Sequence, residues 1–219
     1  MKSKFFCAVA LAVFGLTALA AANTVPVTFT STTSGLGGPG QGVYYYPYQL
    51  IVNGSSVTVA CDDYADTVHL GESWLASVNT FADLSHTLFF NSAGVGLYQQ
   101  AAWLYSQFLP TPPLQDNVNA AINFAMWDLF DGSAPGFNTS NPTSTTSSKY
   151  WLNLAATQNL SGFDFSQFVI YTPVSGWPSN DGRPQEYIGE VPEPGTVLLF
   201  MTGLLGLAGL AWRRRPVAE

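Results

Sequence analysis

Positive charge is scarce in this chain of 219 residues, and most of it lies near the two ends. Five of the seven Lys and Arg residues occupy positions 2, 4, 213, 214 and 215, which leaves only Lys149 and Arg183 in residues 23–190. The same span has twelve Asp and Glu residues, so two basic side chains against twelve acidic ones give a net charge near −10. A field of this sign repels phosphate groups and anionic lipids, which excludes nucleic acid as a partner.

Cysteine is almost absent from the part of the chain that we expect to be exported. Cys7 lies in an N-terminal segment with the pattern of a removable leader, so Cys61 remains alone. A single cysteine cannot form an internal disulfide. In an oxidising compartment it must be buried, paired between chains or chemically modified.

Motifs of common enzyme classes and metal sites are also missing. The sequence has no Gly-x-Ser-x-Gly, no His-Glu-x-x-His and no phosphate-binding glycine loop, and His69 and His86 lack metal-ligand spacing. Asp62, Asp63 and Asp66 form the densest acidic cluster. The cluster lacks the glycine and glutamate of a calcium-binding EF-hand loop, so we expect a solvated turn. The sequence predicts no catalytic residue, no metal and no cofactor, and we do not expect an enzyme.

The first residues have the pattern of a secretory signal peptide. Lys2 and Lys4 precede an apolar run at residues 5–19, and alanines follow at positions 20–22. The alternative is a membrane anchor, but about 15 apolar residues are short of the roughly 20 that a spanning helix needs. We predict that signal peptidase removes residues 1–22, with cleavage before Asn23 or before Ala21.

An uncharged apolar stretch at residues 196–212 has a short motif before it and a basic cluster after it. The motif is Pro192, Glu193 and Pro194, and the basic cluster is Arg213, Arg214 and Arg215. At a rise of about 1.5 Å per residue the stretch forms a helix of about 25 Å, enough to cross a thin bilayer. We therefore predict a transmembrane helix at 196–212, with the arginines on the cytoplasmic side and the preceding chain outside.

This order of parts resembles the PEP-CTERM sorting signal of exported proteins in Gram-negative bacteria. The resemblance covers residues 191–215, and the alternative is an ordinary single-pass tail that happens to follow such a motif. The resemblance implies that an exosortase-type enzyme recognises the motif and cuts near it. It also implies a precursor in the inner membrane, a mature form at the cell envelope or outside the cell, and an association with exopolysaccharide and biofilm.

Residues 23–190 have the length of one domain with a core of its own. Asn53-Gly54 between two β-branched runs indicates a hairpin, in a loop that Ser55 and Ser56 lengthen. Further strands are predicted from the alternating or β-branched runs at residues 25–29, 48–52, 57–61, 72–83, 168–171 and 185–188.

The hydrophobic period changes to that of a helix in the middle of the chain. Apolar side chains recur at helical spacing over residues 95–109, and Pro110 ends this run. A second helix is predicted from Asp116 to Gly132, and a short third helix at residues 148–157. The fold class is therefore α+β, a β-rich exported domain with two or three packed helices.

The two longer helices contain nearly the same motif, amide-x-Ala-x-Trp. Gln99 stands four residues before Trp103 in the first helix, and Asn123 stands four residues before Trp127 in the second. Side chains four residues apart share a helical face, and the small Ala between them allows another element to approach. The interpretation that we favour is two helices that pack through these faces.

A strand-end cysteine followed by an acidic residue, together with this helical motif, resembles the thioester domains of bacterial surface adhesins. The resemblance implies a bond between the Cys61 thiol and a glutamine amide, which would form an electrophile for amines. Gln99 has the required side chain, whereas Asn123 is one methylene shorter. We expect a buried, unmodified thiol and a non-catalytic binding or structural domain. The alternative function is a covalent adhesin that uses Cys61.

Overall fold

The computed structural model describes residues 24–32, 43–110, 116–177 and 182–191. The predicted signal peptide, the predicted transmembrane helix and the six sorting residues lie outside these ranges. Within the described part, no helix has both the length and the apolar character needed to cross a membrane.

Six antiparallel strands close into a barrel in the order β1-β2-β3-β6-β5-β4. The strands are β1 (Thr24–Thr32), β2 (Tyr48–Val52), β3 (Ser55–Cys61), β4 (Ser73–Thr80), β5 (Phe168–Ser175) and β6 (Tyr187–Glu190). The helices of the described residues are α1 (Phe90–Tyr105), α2 (Asp116–Phe130) and α3 (Ser148–Thr157), with a 3-10 turn at Phe165–Gln167. This combination of a barrel and helices confirms the predicted α+β class.

The hairpin between β2 and β3 is tighter than the sequence predicts. Asn53 (φ 48°) and Gly54 (φ 83°) are the two residues of its turn, and Val52 pairs directly with Ser55. The expected longer loop is therefore wrong, because Ser55 and Ser56 belong to β3. Two consecutive residues with positive φ give a turn whose twist matches that of the flanking strands.

Aromatic side chains fill the inside of the barrel. The ring centroid of Tyr187 in β6 lies 5.5 Å from that of Tyr48 in β2 and 6.2 Å from that of Trp74 in β4. Since β6 is hydrogen-bonded to neither β2 nor β4, these rings meet across the lumen, which is a packed core. Phe29 in β1, the strand next to β2, adds a ring whose centroid lies 5.9 Å from that of Tyr48.

The helices cover the opposite face of the sheet. Ala60, Ile170 and Ile188 alternate along their strands with the lumen residues and are fully buried. Helix α1 packs against β6, and α2 packs against β3.

The bounds of α3 are the predicted ones. In α1, Gly94 has a φ of 67° and interrupts the helix, so the regular part begins at residue 95 as predicted but ends four residues before 109.

Candidate functional site

Cys61 is the last residue of β3 and is fully buried. It pairs with Tyr187 in the ladder, and its thiol donates a hydrogen bond of 3.0 Å to the backbone carbonyl of Asp63. Burial raises the pKa of this thiol well above its usual range, and the nearby Asp63 and Asp62 carboxylates raise it further. Cys61 is therefore held as a protonated thiol, which is a poor nucleophile.

The side chain of Asn123 bridges two segments beside this cysteine. Its Nδ2 donates to the carbonyl of Cys61 at 2.8 Å, and its Oδ1 accepts from the backbone N–H of Tyr46 at 2.7 Å. One helical turn earlier, Asn119 binds the N–H and the carbonyl of Leu109 in the same manner, at 2.9 and 3.0 Å. Both α2 asparagines therefore fix irregular backbone to the helix.

The two amides of the repeated helical motif are in different environments. Asn123 is fully buried and contacts Cys61, whereas Gln99 is half-buried and its side chain forms no hydrogen bond with any described residue. Helices α1 and α2 are in contact, and the alanines of both motifs, Ala101 and Ala125, are fully buried. The predicted packing of the two helices through their motif faces is wrong for α2, because Asn123 binds the Cys61 carbonyl and the Trp127 ring packs against Tyr64.

The expectation of a solvated acidic turn is wrong for two of its three residues. Asp62 and Asp63 are fully buried, and only Asp66 is partly exposed. Neither carboxylate oxygen of Asp62 has a hydrogen-bond partner among the described residues. Burial, followed by the charges of Glu186 and Asp63, raises the pKa of Asp62 well above its usual range. Asp62 directly follows the last residue of β3, and its N–H donates to the carbonyl of Glu186 at 3.3 Å, so the chain stays beside the segment that leads into β6.

Glu186 is the centre of a buried polar network that the sequence analysis did not identify. Its carboxylate accepts hydrogen bonds from the Tyr98 hydroxyl at 2.6 Å, from the Leu88 N–H at 2.8 Å and from the Thr172 hydroxyl. Burial raises its pKa in spite of these donors. In the sequence, the available signal was an acidic residue inside the run predicted as a strand at 185–188. A strand residue that faces solvent would give the same pattern, so the sequence did not distinguish a buried Glu186 from an exposed one.

Asp63 and Asp66 shape the turn after β3. Asp63 Oδ1 accepts from the N–H groups of Ala65 and Asp66 at 3.0 and 3.3 Å. Burial and the neighbouring Asp66 raise the pKa of Asp63 to about 7. Asp66 pairs with Arg183, whose Nη2 lies 2.5 Å from Asp66 Oδ2. Over the residues that the structure describes, no three His, Cys, Asp or Glu side chains are grouped closely enough to hold a metal ion.

A cleft of about 400 Å³ opens beside this turn. Four aromatic side chains form much of its wall, and the remaining lining residues are small aliphatic or polar ones. The aromatic residues are Tyr44, Tyr48, Tyr64 and Trp127, and the others are Val43, Ala65, Asp66, Thr67, Val68, His69 and Gln185. Of the two histidines that lack metal-ligand spacing in the sequence, His69 lines the cleft and His86 does not.

The cleft joins segments that no linear pattern connects. Tyr44 precedes β2, and Tyr64 lies within the acidic cluster, between Asp63 and Asp66. Trp127 comes from the helical motif, and its ring centroid lies 5.3 Å from that of Tyr64. Only the folded chain brings these rings together.

Comparison with known proteins identifies the C-terminal segment. Residues 190–215 match the family described as the PEP-CTERM protein-sorting motif, and this range includes the Pro-Glu-Pro residues and the three arginines. No curated protein and no solved structure matches the chain. The motif implies export and a membrane-anchored precursor before processing. The chain therefore carries a PEP-CTERM protein-sorting motif at residues 190–215, which supports its assignment as an exosortase substrate.

Proposed function

We propose that residues 23–190 form a non-catalytic binding domain, which exosortase processing delivers to the cell envelope or the extracellular matrix. The observation that carries this proposal is the aromatic cleft. A pocket with several aromatic side chains and a few polar groups is the usual form of a small-ligand site. The barrel interior around Tyr187 is filled by packed rings, whereas the cleft has room for a small ligand.

The chemistry of the neighbouring groups favours binding over catalysis. The Cys61 thiol is protonated and donates to a backbone carbonyl, and the buried carboxyls of Asp62 and Glu186 have raised pKa values. A nucleophile needs an adjacent base that can take its proton. The charges of Asp63 and Asp62 raise the pKa of the thiol and so oppose its ionisation.

The covalent alternative receives little support from the geometry. A thioester requires the side-chain carbonyl carbon of an amide to bond to the Cys61 sulfur. Asn123 is the amide next to Cys61, but both ends of its side chain are bonded to backbone groups. We therefore favour noncovalent binding and extend the proposal to a cleaved signal peptide and a transmembrane helix at 196–212 in the precursor.

Delivery and binding can be tested separately in the producing cell. Glu193→Ala and replacement of the three arginines should leave uncut precursor in the inner membrane, because exosortase would no longer recognise its signal. Equal processing of these variants and the wild type would contradict the delivery part of the proposal.

The binding part is tested by a cleft variant that leaves the sorting segment intact. Tyr64→Ala should be processed normally but be washed from the envelope more readily than the wild type, since it removes one wall of the cleft. Tyr150→Ala, a half-buried ring on α3 away from the cleft, is the matched control. Equal retention of all three proteins would show that the cleft does not hold the protein in place.

A further inference from the structure

We propose that the exosortase-type enzyme docks on the end of the barrel where β6 finishes, against an open edge of β3 at residues 55–57. This inference rests on the delivery part of the proposed function and names the surface of the folded domain that the enzyme contacts. Three features support it: the place where the sorting segment leaves the barrel, the incomplete pairing of β3 with β6, and the prolines of the motif.

The sorting segment begins inside the fold. The family match starts at Glu190, the last residue of β6, which pairs with Phe168 of β5. The N–H of Val191 donates to the carbonyl of Gln167 at 2.8 Å, so the chain is bound to the barrel up to that residue. Pro194 follows three residues later, at a distance of at most about 11 Å in an extended chain. An enzyme that reads the motif therefore works against the surface of the barrel.

Strand β3 is incompletely paired on the side that faces this exit. Its ladder with β6 stops at Val59 and Gly189, whereas β3 begins four residues earlier. The carbonyl of Thr58, the next residue towards that end, accepts a hydrogen bond of 2.9 Å from the Tyr105 hydroxyl of α1. Residues 55–56 are exposed and have no partner strand on this side within the described part of the chain.

The prolines of the motif prevent the chain from covering this edge itself. Continued in the register of the ladder, the segment after β6 would place Pro192 opposite Ser56. Successive residues of a strand turn their N–H groups to opposite sides, and the N–H of Val191 points to the β5 side. Positions 192 and 194 would therefore face β3, and both are prolines without an N–H to donate. β3 thus keeps an open edge beside the motif, which is a surface that another protein can pair with.

The charge of this end favours a basic partner surface. Glu190 is exposed beside the edge, and exposed Asp164 accepts a hydrogen bond from Gln167, the residue whose carbonyl binds Val191. Arg183, one of the two basic residues of positions 23–190, binds a cleft residue at the other end of the barrel. Complementary charge then requires a basic docking surface on the enzyme. Because the cleft lies at the opposite end, it stays open during processing.

The test measures how fast the full chain is cut in the producing cell. Ser56→Lys places a positive charge on the open edge, and a lysine on an edge strand discourages pairing. It should slow conversion of the precursor by about fivefold or more, the factor that corresponds to about 1 kcal/mol at an interface. Ser175→Lys, at an exposed serine of β5 at the opposite end, is the matched control and should leave the rate unchanged. Equal rates for the two variants would overturn the docking surface.

A spacer separates loss of docking from loss of folding. Gly-Ser-Gly-Ser inserted between Val191 and Pro192 moves the motif up to about 14 Å further from the edge. With the spacer, chains with and without Ser56→Lys should be cut at the same rate, and a persisting difference would overturn the proposal. If the wild type is not cut, or Glu193→Ala is cut as fast, the delivery part of the proposed function fails as well. If the wild type and Ser56→Lys are cut alike while Glu193→Ala is not, only the docking surface is rejected.

Discussion

The side chain of Asn123 joins three parts of the molecule through a single residue. It ties α2 to the end of β3 and to the segment before β2, at sequence separations of 62 and 77 residues. In the repeated amide-x-Ala-x-Trp motif, Asn123 occupies the position in α2 that Gln99 occupies in α1. Asn123 therefore has a structural role, which is to hold two backbone segments against α2.

Asn123→Ala should lower the free energy of unfolding by about 2–4 kcal/mol, because it removes two hydrogen bonds to buried backbone. The exposed Asn153 on α3 is the matched control, and Asn153→Ala should change stability by less than about 0.5 kcal/mol. Urea unfolding followed by circular dichroism measures both. A similar small effect for the two variants would contradict the bridging role.

Cys61 is expected to be chemically unmodified in the mature protein. The thiol should resist alkylation in the folded state, because it is fully buried and its pKa is raised, and should react once the domain is unfolded. Intact mass measurement with and without an alkylating reagent gives the answer. A mass deficit of one ammonia that disappears on treatment with methylamine would establish the covalent adhesin instead.

Among the elements, β6 is the shortest strand of the barrel and closes it between β3 and β5. Gly189 lies in this strand at a point of close approach. A methyl group there would lie 2.9 Å from Val59 Cγ1 and 3.3 Å from the carbonyl of Thr58. Since valine has little rotamer freedom to move away, the strand needs glycine for its packing and not for an unusual φ.

Gly189→Ala should therefore destabilise the domain by about 1–3 kcal/mol, as expected for overpacking. The control is Gly132→Ala, where an added methyl group meets nothing within 4 Å. Adding Val59→Ala to Gly189→Ala should recover part of the loss by making space, which thermal unfolding of the single and double variants measures. If the double variant only sums the two losses, the contact with Val59 is not the cause.

At the scale of the whole molecule, the domain buries acids within a strongly acidic chain. Asp62, Asp63 and Glu186 all have raised pKa values, so the folded state keeps protons that the unfolded chain releases above about pH 4. The stability that these protons supply should be fully present below that pH and should be lost as the pH rises through the raised pKa values, which is about 7 for Asp63. Exposed acids with lowered pKa values, such as Asp164, act in the opposite direction and only below the ordinary carboxyl range.

The urea midpoint should accordingly be lower at pH 8 than at pH 5, with a slope of up to about 1.4 kcal/mol per pH unit for each titrating group. Asp62→Asn should flatten this dependence, because an amide cannot ionise and the carboxylate that it replaces has no hydrogen-bond partner to lose among the described residues. A midpoint that rises between pH 5 and pH 8 in the wild type would contradict the raised pKa values.

Local features of the chain could be predicted from consecutive residues. The sequence correctly predicts the sorting motif, the Asn-Gly turn, the start of the regular part of α1 and both ends of α3, because each depends on neighbours within a few positions. A sorting signal is recognised as a linear segment, so its residues carry the information whatever the domain does. Even here Ser55 and Ser56 were misplaced, since pairing with β2 draws them into β3.

The candidate site depends on contacts between distant parts of the chain. Closure of the barrel places Glu186 beside Asp62, and α2 places Asn123 on Cys61 and Trp127 on Tyr64. Polarity in the sequence predicts that the acids are exposed, but Asp62 stays hydrogen-bonded to Glu186 beyond the end of β3, and both Asp62 and Asp63 are fully buried. The hydrophobic period of a sequence predicts only the face of its element on which each residue lies. Packing decides the burial, the raised pKa values and the cleft, because all three depend on which surfaces meet in the folded chain.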